Sequence, residues 1–325
     1  MELENTYTNR AYRKLEHLCI SRYYDKYSVG WDNVCTYKQM EKELSYIEQQ
    51  GSAPLIIETY EALKAIEANQ KEFCLKGVLG SSIVLYIMGI SEIDPTSVSP
   101  KVYPEFCFGL DGEIKLSTEI WVTNKLYEKL VRYFDNYIGE ARVRHKHFLN
   151  GKLEGVGISD PRRNIGVYDA YEYKFLFSPI SNLKSFAKDM HTGDVFEEIM
   201  PKTFEEQVKC MCWKSFDNGT WKGNGQELYR SGNVRLDDII ANREDVFEYL
   251  IAHNIDKKEA FCVVQDIILG RINRNGWDEE TLAVLNNSRI PEWYIKSCEK
   301  IIGLSSRVSA IMKLNHFSNF GRKEK

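Results

Sequence analysis

Apolar residues recur at helical spacing near the start of the chain. In residues 37–50, YKQMEKELSYIEQQ, the apolar residues Met40, Leu44 and Ile47 are three or four positions apart. Gly51 follows at the position where a glycine commonly ends a helix. The pattern predicts an amphipathic helix over residues 37–50 that ends at Gly51.

The next residues change pattern twice. A second helix is predicted over residues 53–69, followed by a short apolar piece at 72–75. A Gly- and Ser-rich stretch, GVLGSS at 77–82, then leads into the apolar run at 83–90. We interpret these pieces as a strand, a Gly-rich turn and a buried helix.

The middle of the chain suggests a return to a sheet. Residues 91–100 contain two prolines and several turn-forming residues, so they are expected to leave the helix and cross the surface. Residues 113–122 alternate imperfectly between apolar and polar, as a strand does, and residues 124–138 have a helical pattern that ends at Gly139.

Beyond Pro201 the pattern is mainly helical, and Pro201 and Pro291 both suit a helix start. Helices are predicted over residues 204–212, 236–241, 244–253, 257–269, 279–286 and 291–302. The change of pattern near residues 192–201 predicts a domain boundary there. We therefore expect one domain over residues 1–195 and a helical domain over residues 196–325.

Composition narrows the possible classes of protein. The chain is 43% hydrophobic and 28% charged, which is ordinary for a globular protein. Its eight cysteines form no CxxC pair, so we expect neither a zinc ribbon nor a disulfide framework. The first residues have no apolar signal region and the longest apolar run is too short to span a bilayer, so a cytoplasmic protein without membrane contact is expected.

Charge is unevenly distributed. The net charge of −4 argues against strong non-specific DNA binding, which needs many cations against phosphates. One basic stretch stands out, with Arg142, Arg144, Lys146, Lys152, Arg162 and Arg163. Such a stretch is either a solvated face or a phosphate-contacting surface, and the sequence leaves both interpretations open.

Two sets of motifs resemble one polymerase family. The segment LKGVLGSSIVLYIMGISEIDP at 75–95 resembles the palm pattern of PolC- and DnaE-type replicative DNA polymerases. Four further motifs resemble the PolC fingers in the same order and with similar spacing. They are PKTF at 201–204, WKGNGQEL at 221–228, REDVFEYLI at 243–251 and IPEWYIKSCEKI at 290–301.

The resemblance implies a fold. It suggests an α+β architecture with a polymerase palm-like mixed sheet and flanking helices, including remnants of thumb-like helices, in residues 1–195. A mostly helical, fingers-like lobe is implied for the remainder. The other parts of that polymerase, including its exonuclease and OB portions, have no counterpart in the sequence.

The resemblance also points to an acidic pair. Two-metal nucleotidyl transfer needs carboxylates that hold two cations, and aligning LDGEIKLS at 110–117 with the family's metal-binding strand places Asp111 and Glu113 at two such positions. Alternate residues of a strand point to one face, which would bring the two carboxylates together. An Asp-Gly turn followed by an exposed Glu is the alternative, and no acid aligns with the third carboxylate. If catalysis persists, Mg²⁺ is the expected cofactor; otherwise none is expected, and no zinc.

The implied nucleotide-binding residues have changed. Gly80, Ser81 and Ser82 could still present N–H and hydroxyl groups to a triphosphate at a helix N-terminus. The family's arginine before this turn is Lys76 here, which keeps the charge but loses the guanidinium fork. Arg307 aligns near the lysine of the family's fingers helix.

Three hypotheses follow. The first is an inactive polymerase-like module that binds primed DNA, nucleotide or a replisome protein; its candidate nucleic-acid contacts are Arg142, Arg144, Lys146, Arg162, Arg163 and Lys222, with Arg230, Arg235 and Arg307 in the same lobe. The second is a minimal Mg²⁺-dependent nucleotidyltransferase that uses Asp111 and Glu113. The third is a mimic that binds a protein in place of the host polymerase.

Overall fold

The computed structural model describes residues 2–27, 34–69, 72–75, 77–116, 118–122, 124–137, 143–147, 154–160, 163–169 and 195–321. The chain divides into two compact units. Unit 1 comprises Met1–Asn182 and Asn315–Lys325, and unit 2 comprises Leu183–Leu314. Among the described residues, every helix is too short or too polar to span a lipid bilayer.

Unit 1 is built mainly from helices. They are α1 (Glu2–Lys26), α2 (Val34–Gln50), α3 (Ala53–Ala65), α4 (Ile83–Ile87), α5 (Glu105–Phe108) and α6 (Asn124–Tyr137), with a 3₁₀ turn at Gly77–Ser81. The predicted helix ending at Gly51 is confirmed: Gly51 has a φ of 63°, and the N–H groups of Gly51 and Ser52 donate to the carbonyls of Glu48 and Ile47 at 2.9 Å.

Helices α1, α2 and α3 supply a large part of the described core of unit 1. The buried apolar side chains of α1, α2 and α3 include Leu15, Cys19, Tyr23, Met40, Leu44, Ile47, Leu55, Ile56 and Ile57. Arg22 of α1 donates to the carbonyl of Met88 at 2.9 Å, and the Tyr27 hydroxyl donates to Asp94 at 2.7 Å. These bonds connect the C-terminal end of α1 and the residue after it to the segment that follows α4.

Five short strands form one sheet in the order β1-β2-β5-β4-β3. The strands are β1 (Phe73–Leu75), β2 (Thr118–Val122), β3 (Val143–His147), β4 (Glu154–Asp160) and β5 (Arg163–Asp169). β2 runs parallel to β5, with Ile120 opposite Val167, and the other neighbours are antiparallel.

The expected α+β fold organised on a palm-like mixed sheet is wrong. Helices dominate the described chain, and β1 and β2 contribute only Phe73, Leu75, Ile120 and Val122 to the buried apolar side chains there. The segment read as a strand over residues 113–122 is extended only from Thr118. Just before residue 113, Gly109 and Gly112 have φ angles of 86° and 81°, so the chain forms a loop there.

The described part of unit 2 is helical. Its helices are α7 (Val195–Ile199), α8 (Phe204–Ser215), α9 (Gln226–Ser231), α10 (Arg243–Ala252), α11 (Lys257–Ile268), α12 (Arg271–Asn275), α13 (Glu279–Asn287) and α14 (Glu292–Lys300), and α15 (Arg307–Gly321) begins in this unit. A π turn at Trp221–Gly225 and a 3₁₀ turn at Leu236–Asp238 complete it. Thr203 and Glu206 form a capping box that starts α8.

Asn224 links two of the polymerase-like motifs. It is 3% exposed, and its amide donates to the carbonyls of Gly219 at 2.9 Å and Ser297 at 3.1 Å. The Ser297 hydroxyl donates back to the Asn224 Oδ1 at 2.9 Å. Gly219, at a φ of 82°, lies so close to the carbonyl of Lys300 that a Cβ would collide with it. The WKGNGQEL turn and the IPEWYIKSCEKI helix are therefore held together by buried polar contacts.

The REDVFEYLI helix is fixed by its first residue. The Arg243 guanidinium donates to the carbonyls of Leu304 at 3.0 Å and Ser305 at 3.3 Å, and its backbone N–H donates to Ser305. Farther along the helix, the Tyr249 ring stacks on the buried Tyr294 ring with a centroid distance of 3.8 Å. Three of the four motifs thus pack on one another within unit 2.

Asn224→Ala should destabilise unit 2, because the carbonyls of Gly219 and Ser297 and the Ser297 hydroxyl would lose buried partners. We expect the free energy of unfolding to fall by about 1–3 kcal/mol. Urea unfolding followed by tryptophan fluorescence measures this, since four of the six tryptophans lie in unit 2. The exposed Asn287→Ala is the matched control, and equal losses in the two variants would contradict the role given to Asn224.

Candidate nucleotide and metal sites

Asp111 and Glu113 lie in the exposed loop after α5, outside any strand. The Glu113 carboxylate turns back on its own loop and accepts from the N–H groups of Leu110 at 3.2 Å and Asp111 at 2.9 Å. Burial raises the pKa of Glu113, but the backbone donors lower it by more, so the net shift is downward. The Glu113 carboxylate therefore caps the loop, and the strand geometry expected to pair it with Asp111 is absent.

Side chains of α2 hold this loop in place. The Gln50 amide donates to the carbonyls of Gly112 and Ile114 at 2.8 Å each, and the Tyr46 hydroxyl donates to the carbonyl of Leu110 at 2.8 Å. The N–H of Leu116 also donates to the Gln50 Oε1 at 3.1 Å, so four bonds tie the loop to α2. Among the described residues, no three His, Cys, Asp or Glu side chains form a group that could hold a metal ion.

A buried carboxylate occupies the predicted phosphate-binding turn. Ser82 is the N-cap of α4, and its hydroxyl accepts from the N–H of Leu85 and donates to the Glu43 Oε2 at 2.7 Å. The Glu43 carboxylate also accepts from the N–H groups of Ile83 at 3.3 Å and Val84 at 3.2 Å. Glu43, which comes from α2, therefore binds the hydroxyl and N–H groups that a phosphate would need at this helix end.

The other two residues of the turn are equally committed. The Ser81 hydroxyl donates to the carbonyl of Val78 at 2.6 Å, and both Gly80 and Ser81 are buried. Lys76, the predicted cation of this site, lies outside the described residues. The hydroxyl groups of this turn are thus hydrogen-bonded to the turn's own backbone and to Glu43.

Glu43 is fully buried. Burial raises the pKa of its carboxyl to about 7, although bonds from Ser82, Gln39, Val84 and Ile83 act in the opposite direction. The Gln39 amide supplies the fourth of these donors at 3.0 Å. The four hydrogen bonds to this buried carboxyl thus come from neutral donors.

Arg307 is buried, with 5% of its surface exposed. Its guanidinium forms a bidentate contact with the Glu248 carboxylate, at 2.8 and 2.6 Å, and also donates to Asp245 at 3.0 Å. Its backbone N–H donates to Glu244 at 2.8 Å. The guanidinium is therefore bound to carboxylates of unit 2 itself.

Lys209 completes this buried charge cluster. Its ammonium group donates to Asp245 at 2.8 Å and to the carbonyl of Ile239 at 2.7 Å. Burial alone would raise the pKa of Asp245, but Lys209 and Arg307 lower it by more, so Asp245 remains ionised. For Arg307, burial lowers the pKa, and the bonds and charges of Glu248 and Asp245 shift it upward by more. We call Lys209, Asp245, Glu248 and Arg307 the Arg307 cluster.

Much of the predicted nucleic-acid surface lies outside the described residues, including Arg142 and Arg162. Arg144 and Lys146 lie on β3, opposite Gly157 and Gly155 of β4, and Arg163 begins β5 opposite Asp160. Only the backbone of these three residues is described. The proposed phosphate contacts of this stretch therefore remain predictions.

The predicted cations of unit 2 are described. Lys222 is exposed, and its backbone N–H donates to Asp217 at 3.2 Å. Arg230 pairs with Glu198 at 2.7 Å, and Arg235 pairs with Asp238 at 3.2 Å. Both arginines are mostly exposed but already have an acidic partner.

Sequence reasoning missed the acidic partners. Glu43 falls three residues after Met40 and four before Ile47, so it sits on the apolar face of α2, and a charge on such a face was the available signal. Asp245 and Glu248 had no comparable signal, because their partner Arg307 is far away in the sequence.

The sequence is similar to part of a known polymerase. The PolC-type DNA polymerase III of Bacillus cereus is 34% identical to this chain over 107 residues, that of Bacillus subtilis 33% over 107, and that of Ureaplasma parvum 32% over 123. Each match covers 33–38% of this chain and only 7–8% of the relative's length. A segment of this chain is thus related to PolC-type polymerases. No family model matches the chain.

The pH dependence of stability tests the Glu43 assignment. Because the folded-state pKa of Glu43 is raised from 4.5 to about 7, its contribution to stability is present below pH 4.5 and lost as pH rises through about 7. The unfolding free energy of the wild type, relative to Glu43→Gln, should therefore fall across this range. Urea unfolding followed by circular dichroism measures it, with the exposed Glu41→Gln as control. A difference that grows with pH would show that the four donors outweigh burial.

Removing Arg307 should be costly, because the buried Asp245 would keep only Lys209 as a partner and the half-buried Glu248 would lose its bidentate partner. We expect Arg307→Met to reduce the unfolding free energy of unit 2 by about 3–5 kcal/mol. The matched control is Arg271→Met, whose exposed pair with Asp266 should contribute no more than about 1 kcal/mol. Tryptophan fluorescence in urea separates the two, and similar small losses would argue against a structural Arg307 cluster.

Proposed function

We propose that this chain is a non-catalytic relative of PolC-type DNA polymerase that acts by binding a component of DNA replication rather than by transferring nucleotides. The sequence relation supports the polymerase ancestry of one segment. The matched lengths of 107 to 123 residues are close to the length of the stretch 201–310, where the four fingers-like motifs lie. We infer that this segment is the related one.

One observation carries the non-catalytic part of the proposal: carboxylates of the chain itself fill both predicted anion sites. Glu43 accepts from Ser82, Ile83 and Val84 at the turn, and Asp245 and Glu248 bind the Arg307 guanidinium. A triphosphate would have to displace a buried carboxylate at either place. Displacement would leave that carboxylate without its donors, which costs several kcal/mol.

The acidic pair gives catalysis no better support. Two metal ions roughly 4 Å apart require carboxylates that converge on them. Glu113 instead bonds to the N–H groups of Leu110 and Asp111, and Asp111 lies exposed in the same loop. The bonds that hold Glu113 in this position would have to break before it could bind a metal ion.

Charge favours a protein over DNA as the partner. The net charge is −4, and Arg230 and Arg235 are paired with Glu198 and Asp238. A phosphate backbone would compete with these carboxylates for each arginine. Proteins that hold DNA non-specifically instead present many uncompensated cations.

Primer extension on a primed template, with Mg²⁺ or Mn²⁺, tests the proposal directly. We expect no incorporation above the level without protein, and no loss in Asp111→Ala because there is no activity to lose. The PolC-type polymerase of Bacillus subtilis serves as the positive control. Incorporation by the wild type that Asp111→Ala abolishes would overturn the proposal and establish a minimal nucleotidyltransferase. Fluorescence anisotropy on the same template should show binding no tighter than about 1 µM at physiological salt.

A further inference from the structure

Three large apolar side chains of unit 2 are exposed on neighbouring segments. Phe216, at the end of α8, is 42% exposed; Leu269, at the end of α11, is 48% exposed; and Ile302, just after α14, is 53% exposed. Single exposed apolar residues are normal on proteins. A contiguous group of exposed apolar side chains indicates a site that binds another molecule, such as a protein or a ligand.

Two glycines show that the segments carrying these residues lie side by side. A Cβ at Gly270, next to Leu269, would lie 3.7 Å from the Cα of Ile302. A Cβ at Gly303, next to Ile302, would lie 3.1 Å from the ring of Phe216. The N–H of Ile302 donates to the carbonyl of Asn218 at 3.0 Å, which fixes the segment between them. The segments that carry Phe216, Leu269 and Ile302 are therefore adjacent, and we call these three exposed side chains the apolar patch.

A cation borders the apolar patch. The Arg274 guanidinium donates to the carbonyl of Leu269 at 2.9 Å, and its other terminal nitrogen lies 3.1 Å from the Cβ position of Gly270. Arg271 lies beside it and pairs with Asp266 at 2.7 Å. Within the part of the chain that the structure describes, no acidic side chain forms an ion pair with Arg274. The border of the patch thus offers a positive charge to a partner, on a chain whose net charge is −4.

We propose that the apolar patch binds an apolar segment of a partner protein that carries an acidic residue beside its apolar side chains. The apolar side chains of the segment cover Phe216, Leu269 and Ile302, and its carboxylate pairs with Arg274. Apolar anchors supply most of the binding energy in such contacts, and the charge sets orientation and specificity. This inference names a binding surface for the proposed function, and it rests on that proposal because both require that the chain acts by binding a partner.

The chemistry of the patch favours a peptide over nucleic acid. Only Phe216 is aromatic, so a single base could stack there, whereas single-strand binding surfaces use successive aromatic side chains. A second copy of this chain is the competing occupant.

The experiment uses the full chain and fluorescein-labelled synthetic peptides. One peptide has leucines at helical spacing with glutamates beside them, and the other is identical except that lysines replace the glutamates. We expect anisotropy to show binding of the glutamate peptide, weakened about tenfold or more by Leu269→Ser or Ile302→Ser. Arg274→Glu should weaken the glutamate peptide and strengthen the lysine peptide. Ile251→Ser, at a residue 39% exposed on α10, is the control and should change neither.

Several results would overturn the inference. Equal affinity for the two peptides, or an Arg274→Glu variant that behaves as the wild type, removes the charge recognition. Sedimentation that shows a wild-type dimer and an Ile302→Ser monomer assigns the patch to a second copy instead. Circular dichroism establishes that each variant is folded. Primer extension is measured separately, so a chain that binds no peptide and extends no primer loses this inference but keeps the non-catalytic assignment.

Discussion

The helical unit depends on a buried set of charges centred on Arg307. The guanidinium lies between Asp245 and Glu248, and Lys209 neutralises the other side of Asp245. A buried charge is tolerated only when it is paired and hydrogen-bonded, so the buried Arg307 and Asp245 require their partners. Because they come from α8, α10 and the start of α15, the pairing fixes three helices against one another. Helices α7 and α11 in turn pack against α8 and α10.

The polymerase-like motifs have a structural use that does not require catalysis. Asn224 joins the WKGNGQEL turn to Ser297 of the IPEWYIKSCEKI helix, and Arg243 joins the REDVFEYLI helix to residues 304 and 305. Each of these contacts is internal to unit 2. Such motifs can therefore serve the fold, while the residues predicted to contact a nucleotide bind other residues of the chain. Glu43 at the α4 turn and the acids around Arg307 are those other residues.

Local pattern predicted part of this structure and failed where long-range contacts decide. The spacing of Met40, Leu44 and Ile47, with Gly51 after them, was enough for helix α2 and its end, because both depend on neighbouring residues. The strand expected over residues 113–122 was half right, since Thr118–Val122 forms β2 while the Gln50 side chain holds the residues before it in a loop that alternation does not reveal. The expectation of a sheet as the organising layer was wrong, because helices dominate the described chain. The carboxylates on Ser82 and Arg307 come from residues 39 and 59 positions away, which no local pattern connects.

Binding of a deoxynucleoside triphosphate is the most direct test, because Glu43 already binds Ser82, and Asp245 and Glu248 already bind Arg307, at the two predicted anion sites. Isothermal titration of the wild-type chain with Mg²⁺ and each of the four deoxynucleoside triphosphates should show no saturable binding. The same titration of a Glu43→Gln variant reports whether removing that charge opens the turn. Saturable binding to the wild type, lost when Ser82 is changed to alanine, would contradict the account and restore the turn as a nucleotide site.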